Sequence, residues 1–320
     1  MAFLSDLSEI VTEYEPLGPL TYFGLGGPAR WLVRPRSLVE LAEVTRRCRQ
    51  ESVPLRVLGR GANLLVGDDG VDGVVLRLEA PAFKVVNWRA DRKGDSEGLT
   101  RPDADAAVVT AGAGTDMARL SLDAVRRGLA GLECMAGIPG TLGGIIRMNA
   151  GGRFGQIADA VRDVTAVDAD GEVRRLSRDE VGFGYRHTEL GGAVVCGATL
   201  LLRREDEARL RKRHAEIWNY KKASQPLADS SAGCVFKNPP GASAGRLIDQ
   251  AGLKGYRVGG ASVSPQHANF IVAGEGATAG DVLAVIRHVR RTVAERTGVA
   301  LELEIEVWRK DCPDNAELAA

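Results

Sequence analysis

Residues 131–152, GLECMAGIPGTLGGIIRMNAGG, contain seven glycines in 22 positions, and the interpretation of the whole chain depends on them. Few side chains project from such a stretch, so its backbone can approach a flat or charged group closely. Bare amide N–H groups suit a phosphate or a planar cofactor. A tight, glycine-rich corner in a packed fold is an equally good interpretation of this stretch taken alone.

The composition of the chain restricts the classes of protein it can belong to. Its 320 residues are typical of about two domains. The 42 basic and 42 acidic residues balance, which argues against a general nucleic-acid-binding or membrane-surface protein. The first 27 residues lack a basic segment before an apolar run, and no apolar stretch is long enough to span a bilayer. We therefore expect a cytoplasmic protein.

The cysteines are odd in number and widely spaced, without a C-x-x-C pair. This pattern predicts reduced thiols and neither a disulfide framework nor a metal site. The five positions are Cys48, Cys134, Cys196, Cys234 and Cys312.

A second glycine-containing loop, Gly59-Arg60-Gly61-Ala62-Asn63, lies between two apolar strands predicted within residues 55–78. A Rossmann fingerprint needs a helix after the loop and a third glycine, so this loop does not fit that motif. Consecutive backbone donors could still form an anion-binding nest. A simple tight turn is the alternative interpretation.

Several helices and strands are predicted from their end signals. Ser37 with Glu40, and Ser177 with Glu180, form capping boxes that predict helix starts. Thr115 is predicted to cap a helix that runs through Arg127. The pair Asp170-Gly171 predicts the turn of a hairpin over residues 161–176.

The second half of the chain continues this mixed pattern. Helices are predicted over residues 204–223, 243–251 and 279–296, and the first of them is interpreted as a bridge to a second domain. Strands are predicted over 258–263 and, with strict alternation of apolar and acidic residues, over 299–307. Residues 90–105 are predicted to be an exposed loop.

Three stretches carry a strong family resemblance. They are GRGANLLVGDDGVDGVVLRL (59–78), AGIPGTLGGIIRMNAGG (136–152) and SAGCVFKNPPGASAGRLIDQAGLKG (231–255). Together they closely resemble the UDP-N-acetylenolpyruvoylglucosamine reductases, also called UDP-N-acetylmuramate dehydrogenases. The segments SPQHANF (264–270) and GVALELEIEV (298–307) are also similar to this family. The resemblance extends from Tyr22 to Val307.

The resemblance implies an α+β fold with two domains. A two-part FAD-binding domain of the vanillyl-alcohol-oxidase type (PCMH type) is expected at 1–203, with subdomains at roughly 1–80 and 81–203. A smaller α+β substrate-binding domain is expected at 204–310, followed by a polar tail at 311–320. The short run from Cys234 to the end resembles the form of the family without an extra substrate-covering segment.

The resemblance also implies an activity in peptidoglycan precursor synthesis, and hence in cell-wall biogenesis, cell shape and division. FAD is held without a covalent link and is reduced by NADPH. A hydride then passes to the enolpyruvyl ether of UDP-N-acetylglucosamine enolpyruvate, and protonation completes UDP-N-acetylmuramate. The implied partners are this UDP-sugar and NADPH, with no nucleic acid and no membrane, and a monomer is the expected state.

By this resemblance, three residues are candidates for catalysis: Arg186, Glu304 and Cys234. Arg186, in FGYRHTEL, matches the family's Tyr-Arg pair, and a guanidinium suits a carboxylate bidentately. Glu304 matches the glutamate of the closing strand and would assist the enol intermediate or its protonation, with Glu302 and Glu306 as alternatives. Without the resemblance, Arg186 would be interpreted as a surface arginine and Glu304 as one of three solvent-facing glutamates.

Cys234 is a departure from the family pattern. It occupies the position at which many members have the serine that acts as proton donor. A thiol has an ordinary pKa of about 8.5, so it is mostly protonated at neutral pH and can donate. A small buried apolar residue is the alternative interpretation, since unpaired cysteines usually pack that way.

Further positions are implied for the cofactor and the substrate. Backbone amides and small residues are expected to contact FAD at Gly59, Arg60, Gly61, Ala62, Asn63, Leu64, Gly137, Ile138, Thr141, Gly143 and Asn149. The candidates for the substrate are Tyr185, Lys221, Lys237 and Asn238, the last two for its diphosphate. Ordinary surface polarity is the alternative for this second group, and His267 and Asn269 could equally be structural.

Two other functions are alternatives to the reductase. One is a different FAD-dependent oxidase or dehydrogenase on the same fold, against which the set Arg186, Cys234 and Glu304 argues. The other is a non-catalytic flavin-binding or nucleotide-sugar-binding protein, which the departure at Cys234 keeps open.

Overall fold

A computed structural model describes residues 3–90 and 106–310. Apart from Ala90, the expected exposed loop at 90–105 lies outside the described residues, as do the tail at 311–320 and Cys312. The chain forms two compact units. The first comprises Met1–Val11, Val33–Gly59 and Leu76–Tyr220, and the second comprises Thr12–Leu32, Arg60–Val75 and Lys221–Ala320. These units interleave along the sequence, whereas the domain boundary expected at 203/204 stays a prediction.

The described chain contains both strands and helices. The strands are β1 (Val11–Pro16), β2 (Pro28–Val33), β3 (Leu55–Val57), β4 (Leu64–Val66), β5 (Val71–Leu76), β6 (Val86–Ala90), β7 (Ala106–Gly112), β8 (Leu129–Ala130), β9 (Gly151–Gly152), β10 (Gly155–Gln156), β11 (Val161–Val167), β12 (Val173–Ser177), β13 (Val194–Arg204), β14 (Arg257–Val258), β15 (Ala261–Val263), β16 (Ile271–Ala273) and β17 (Glu306–Trp308). The α-helices are α1 (Leu38–Gln50), α2 (Met117–Arg126), α3 (Leu142–Arg147), α4 (Arg178–Val181), α5 (Glu207–Ser224), α6 (Ala244–Gln250) and α7 (Ala279–Thr297). Short 3₁₀ helices occupy Ser5–Ile10, Gly18–Leu20, Pro81–Phe83, Glu133–Met135 and Ile157–Asp159.

The first unit is built on an antiparallel sheet with the strand order β12–β11–β13–β7–β6, and β8 pairs with the end of β13. The predicted hairpin is confirmed, because β11 and β12 pair around the turn that contains Asp170 and Gly171. Gly171 has a φ of 83°, which glycine adopts without steric strain. The central strand, β13, is largely buried, as its apolar run predicts.

Two of three predicted helix starts in this unit agree with the sequence signals. Ser37 accepts a hydrogen bond from the Glu40 N–H at 3.2 Å, and both bonds of the Ser177–Glu180 capping box are present. The prediction that Thr115 caps α2 is wrong by one residue. Asp116 is the N-cap, since its carboxylate accepts from the Arg119 N–H at 2.9 Å.

The second unit has a core formed around α7. Its capping box is formed by Thr278 and Asp281, and Gly298 ends the helix at a φ of 71°. Buried aliphatic side chains of α7 pack with those of β15, β16 and the segment before β17. Each contributes about 1.5–3 kcal/mol by leaving water. In this unit β2 lies between β1 and β5, β14–β15–β16 form a small sheet, and β4 pairs in parallel with β17.

Two predicted strands are interrupted. The strand predicted over 258–263 is split into β14 and β15 by Gly259, at a φ of 50°, and Gly260. The strand predicted over 299–307 is regular only at β17. Before β17, Leu303 forms a single bridge with Phe236, so the segment is extended and alternately buried but belongs to no ladder. Alternation fixed its buried face and could not specify a partner strand.

Candidate active site

Gly59, the first residue of the second glycine-containing loop, lies against the glycine-rich stretch within the first unit. A Cβ atom added at Gly59 would lie 2.7 Å from Oγ1 of Thr141, so the backbone at Gly59 approaches this threonine as closely as glycine allows. Thr141 is also the N-cap of α3, where its hydroxyl accepts from the Gly144 N–H at 3.4 Å. Two residues predicted to contact the cofactor, 82 positions apart in sequence, are therefore neighbours.

Glycine is suited to the positions in these regions for different physical reasons. A Cβ at Gly143 would lie 2.9 Å from the Ala113 Cβ, and one at Gly61 would lie 2.6 Å from the Leu20 carbonyl oxygen. Those two permit close packing of the chain on itself. At Gly144 the nearest atom to an added Cβ would be at 3.6 Å, and at Gly152 no atom would lie within 4 Å. These two positions leave bare backbone, which fits a flat group such as a flavin ring.

Arg60 to Leu64 lie in the second unit. The Arg60 guanidinium carbon lies 5.8 Å from the centre of the Tyr22 ring, and Leu64 is a buried residue of β4. The Asn63 side-chain amide donates to the Glu304 carbonyl oxygen at 3.0 Å, and its own carbonyl accepts from the Glu306 N–H at 2.9 Å. Asn63 thus joins the predicted cofactor loop to the segment that carries Glu304.

Asn149, a predicted cofactor residue, uses its whole side chain within the protein. It is 1% exposed and has a φ of 41°, a conformation that asparagine tolerates better than most residues. Its amide nitrogen donates to Gln156 Oε1 at 3.1 Å and to the Gly184 carbonyl at 2.8 Å. Its Oδ1 accepts from the Ala158 N–H at 3.3 Å. Asn149 therefore supports the turn that carries Arg186.

Arg186 lies in a two-residue turn closed by reciprocal backbone bonds between Gly184 and His187, at 3.0 and 3.3 Å. Its φ is 56°, which is unfavourable for a residue with a Cβ. Its guanidinium donates to the Gly151 carbonyl at 2.8 Å, and Thr188 donates to the Arg147 carbonyl at 2.9 Å. The turn is therefore fixed to residues 147–151, the end of the glycine-rich stretch.

Tyr185 and Lys221 differ in exposure. Tyr185 is 51% exposed, and its ring centre lies 5.1 Å from the Arg186 guanidinium carbon. Lys221 is 9% exposed, near the end of α5. An exposed ring beside a guanidinium can contact a ligand directly, whereas the buried lysine stem is held by its surroundings.

Cys234 lies in the second unit, in an extended segment that belongs to no regular strand. It is half-buried and follows Gly233, which has a φ of 78°. The next residue, Val235, donates to the Asn269 carbonyl at 2.8 Å and accepts from the Glu304 N–H at 2.8 Å. The backbone of one residue thus connects the segments of Cys234 and Glu304.

The three glutamates that the sequence could not separate have different surroundings. The Glu302 side chain is 78% exposed and pairs with Lys237 at 3.6 Å. Glu306 lies in the β17 ladder beside Leu64. Glu304 is half-buried, and its backbone is bonded to both Val235 and Asn63. Of the three, Glu304 has the backbone held most directly to the Cys234 segment.

Of the remaining substrate candidates, Asn238 has a clear local role. Its Oδ1 accepts from the Ala244 N–H at 3.0 Å, at the start of α6. Lys237 is a third exposed along its side chain and pairs with Glu302. These contacts are compatible with ligand binding and do not require it.

A cavity of about 580 Å³ lies in the first unit, beside the hairpin of β9 and β10. It contains none of the residues singled out from the sequence. Its lining comprises Glu133, Arg153, Phe154, Arg213, Glu216, Ile217 and Tyr220.

The cysteines of the described chain form no disulfide. Burial raises the pKa of the Cys48 thiol, and likewise that of Cys196, to about 12, so both stay protonated. Residues 3–90 and 106–310 hold no group of three or more His, Cys, Asp and Glu side chains able to bind a metal ion. No helix within these ranges is long and apolar enough to cross a membrane.

Comparison with known proteins adds to this geometry. A family model described as an FAD-binding domain matches residues 29–177, which defines the chain as an FAD-binding flavoprotein and confirms the predicted cofactor. The model of the UDP-N-acetylenolpyruvoylglucosamine reductase C-terminal domain matches residues 225–308.

Individual relatives span nearly the whole chain. UDP-N-acetylenolpyruvoylglucosamine reductase 2 of Symbiobacterium thermophilum is 43% identical over 92% of this chain and 91% of its own length. The reductase of Moorella thermoacetica is also 43% identical, over 92% of each chain. The crystal structure of the reductase from Thermus caldophilus matches with a TM-score of 0.77 and 41% identity, covering 93% of this chain and 98% of that one. The chain belongs to the UDP-N-acetylenolpyruvoylglucosamine reductase family, which confirms the predicted family and fold class.

The glycine regions fit the FAD cofactor that the family model implies. Gly144 and Gly152 leave open backbone, and Gly59 is brought against Thr141.

The sequence leaves the role of Asn269 undecided. The motif SPQHANF contains it, but no local pattern indicates that its side chain binds a segment 33 residues away.

Proposed function

We propose that this chain reduces the enolpyruvyl ether of UDP-N-acetylglucosamine enolpyruvate to UDP-N-acetylmuramate, with NADPH as reductant and non-covalently bound FAD. We also propose that it acts in the cytoplasm as a monomer, in peptidoglycan precursor synthesis. The observation that carries it is family membership at 43% identity over nearly the whole chain, together with an FAD-binding domain. The three catalytic candidates support it, because a guanidinium, a thiol and a carboxylate are the functional groups that this chemistry needs.

FAD, when bound, supplies hydride transfer. The net reaction places a hydride on one carbon of the substrate double bond and a proton on the neighbouring carbon, which bears the carboxylate. Negative charge develops on that carboxylate side before the proton arrives, so a cation there lowers the barrier. Arg186 is the proposed cation, and the bonds that fix its turn to Gly151, Asn149 and Arg147 reduce the reorganisation it needs.

Cys234 is the proposed acid. Its Sγ–H donates a proton to the carbon that bears the carboxylate, and the resulting thiolate is reprotonated from solvent to restore the enzyme. Glu304 is proposed to assist the enol intermediate or its protonation. The backbone link through Val235 supports a joint role for these two residues.

Substrate binding is proposed for Tyr185, Lys221, Lys237 and Asn238, and FAD binding for the two glycine regions. Single substitutions test this assignment through different constants. Loss of a substrate contact raises KM for the UDP-sugar and leaves the flavin content unchanged. Loss of a cofactor contact lowers the flavin content itself.

An anaerobic flavin titration tests the proposed function. The purified protein should be yellow, NADPH should bleach the flavin absorbance, and adding UDP-N-acetylglucosamine enolpyruvate should restore it with one equivalent of product. Reoxidation by oxygen alone at a comparable rate would instead indicate an oxidase on the same fold. Bound flavin that NADPH does not bleach would indicate a non-catalytic flavin-binding protein.

A further inference from the structure

We propose that Asn269 is the positioning residue for the acid Cys234, acting through the backbone of Phe236. This inference rests on the proposed function, in which Cys234 protonates the substrate. Asn269 is 3% exposed and stands in the turn between β15 and β16. Its side chain faces an extended segment that has no strand partner on that side.

The Asn269 amide replaces a missing strand. Its Oδ1 accepts from the Phe236 N–H at 3.0 Å, and its Nδ2 donates to the Phe236 carbonyl at 2.8 Å. Its backbone carbonyl accepts from the Val235 N–H at 2.8 Å. One asparagine thus satisfies three backbone groups of two adjacent residues, which would otherwise be buried without partners, since Val235 is 0% and Phe236 2% exposed.

The opposite edge of the same segment is bonded to the glutamate segment. Glu304 N–H donates to the Val235 carbonyl at 2.8 Å, and Lys237 N–H donates to the Glu302 carbonyl at 2.9 Å. Residues 235–237 are therefore fixed from two sides, and Asn269 supplies one side alone.

Cys234 stands between this fixed segment and Gly233, which has a positive φ and no atom within 4 Å of where a Cβ would be. The bonds of Val235 and Phe236 therefore constrain the backbone that carries the Cys234 side chain. Loss of the Asn269 bonds would let Cys234 move, and a displacement of about 1 Å can slow a proton transfer about 100-fold.

Asn269 is itself held by a local network. Its N–H donates to Nδ1 of His267 at 3.3 Å, and Ser264 Oγ accepts from the N–H groups of Gln266 and His267. The His267 ring packs edge-on against Phe270 at 4.8 Å. The position of the amide is thus determined by the turn and not by contact with Cys234.

The test separates the two half-reactions in Asn269→Asp and Asn269→Leu, which are close to asparagine in size. We expect flavin reduction by NADPH within about twofold of wild type and reoxidation by the UDP-sugar slowed about 10- to 100-fold. We also expect a larger solvent deuterium isotope effect on reoxidation, because proton transfer becomes slower. Bound FAD per chain verifies that each variant is folded.

Thr278→Ala is the matched control in the same unit. It removes the N-cap of α7 and lowers stability without touching the Cys234 segment. It should leave the ratio of the two half-reactions and the isotope effect unchanged. The inference is overturned if the Asn269 variants slow both half-reactions equally, or neither, while Cys234→Ala slows reoxidation. If wild type itself fails to turn over the UDP-sugar, the proposed function fails instead.

Discussion

The turn around Arg186 and the segment around Cys234 hold their proposed catalytic residues in different ways. Arg186 has a strained backbone, with a φ of 56°, and its turn is fixed by side-chain bonds to the carbonyls of Gly151, Gly184 and Arg147. Cys234 lies in an extended segment, beside residues that are bonded along both edges. The backbone of Arg186 is strained by its positive φ, whereas Cys234 does not have a positive φ.

This difference changes how each residue can be recognised. A glycine would suit the Arg186 position better, so the presence of an arginine indicates that its side chain is needed. No such signal marks Cys234, whose role is indicated only by its neighbours. Both regions nevertheless depend on a buried asparagine, Asn149 in the first and Asn269 in the second. The predictions below test whether the two regions respond differently when their parts are removed.

Replacement of Arg186 is expected to have the largest effect. Arg186→Ala and Arg186→Gly should each lower kcat about 10³-fold, which corresponds to about 4 kcal/mol of lost transition-state stabilisation. Glycine should nevertheless give a fold about 1 kcal/mol more stable than alanine, because it relieves the positive φ. Steady-state kinetics and urea unfolding measure the two effects. Equal stability of the two variants would show that the turn is not strained.

Replacement of Cys234 should be the next largest. Cys234→Ala is expected to slow flavin reoxidation by the UDP-sugar about 100-fold, since general acids contribute at least that much. Cys234→Ser should recover most of the rate. The alanine and serine variants of Cys234 should not differ in stability as the alanine and glycine variants of Arg186 do. Stopped-flow absorbance of the flavin gives the rates. Full turnover in Cys234→Ala would exclude the thiol as the acid.

Loss of the asparagine in the first region should affect stability more than chemistry. Asn149→Ala removes three buried hydrogen bonds, and we expect the free energy of unfolding to fall by about 2–3 kcal/mol. Asn87→Ala is the control, because Asn87 is exposed and its side chain makes a 3.4 Å bond to Thr110. That variant should lie within about 0.5 kcal/mol of wild type by chemical denaturation. Similar losses in both would contradict the supporting role of Asn149.

The sequence predicted the parts of the fold that local signals control. Helix starts at Ser37 and Ser177 and the hairpin at Asp170-Gly171 agree with the structure. The strand predicted over 299–307 failed because its partner, the segment at 235–237, is short and irregular. Alternation reports burial, whereas a ladder also requires a long partner.

The site was predicted unevenly for a related reason. Motif matching selected Arg186, Cys234 and Glu304 without showing how they are held. Contacts from Asn149 to Gly184 and from Asn269 to Phe236 join residues 33–35 positions apart, and no local periodicity encodes such bonds. Asn149 is predicted to contact the cofactor, yet both polar atoms of its side chain bond to protein, so any contact it makes with FAD would come from its backbone.

The smallest expected effect is a pH dependence confined to the Cys234 region. Burial lowers the pKa of His267 below its usual range near 6.5, helped by the positive charge of Lys254. The fold therefore favours neutral His267, whose Nδ1 accepts the Asn269 N–H. The stability that neutral His267 contributes to the fold is fully present above its ordinary pKa. It is lost as the pH falls from that value through the lowered pKa of the folded protein. Protonation removes that acceptor, which is worth about 1 kcal/mol.

Amide hydrogen exchange can locate this effect. Between pH 7.5 and 5.5, after correction for the intrinsic rate, opening should increase at Val235 and Phe236 and stay constant at Gly184 and His187. His267→Gln, which does not titrate, should abolish the pH dependence at Val235 and Phe236. An equal increase in both regions would mean that acid loosens the protein globally. The difference between the strained turn at Arg186 and the segment at Cys234 would then not extend to their response to pH.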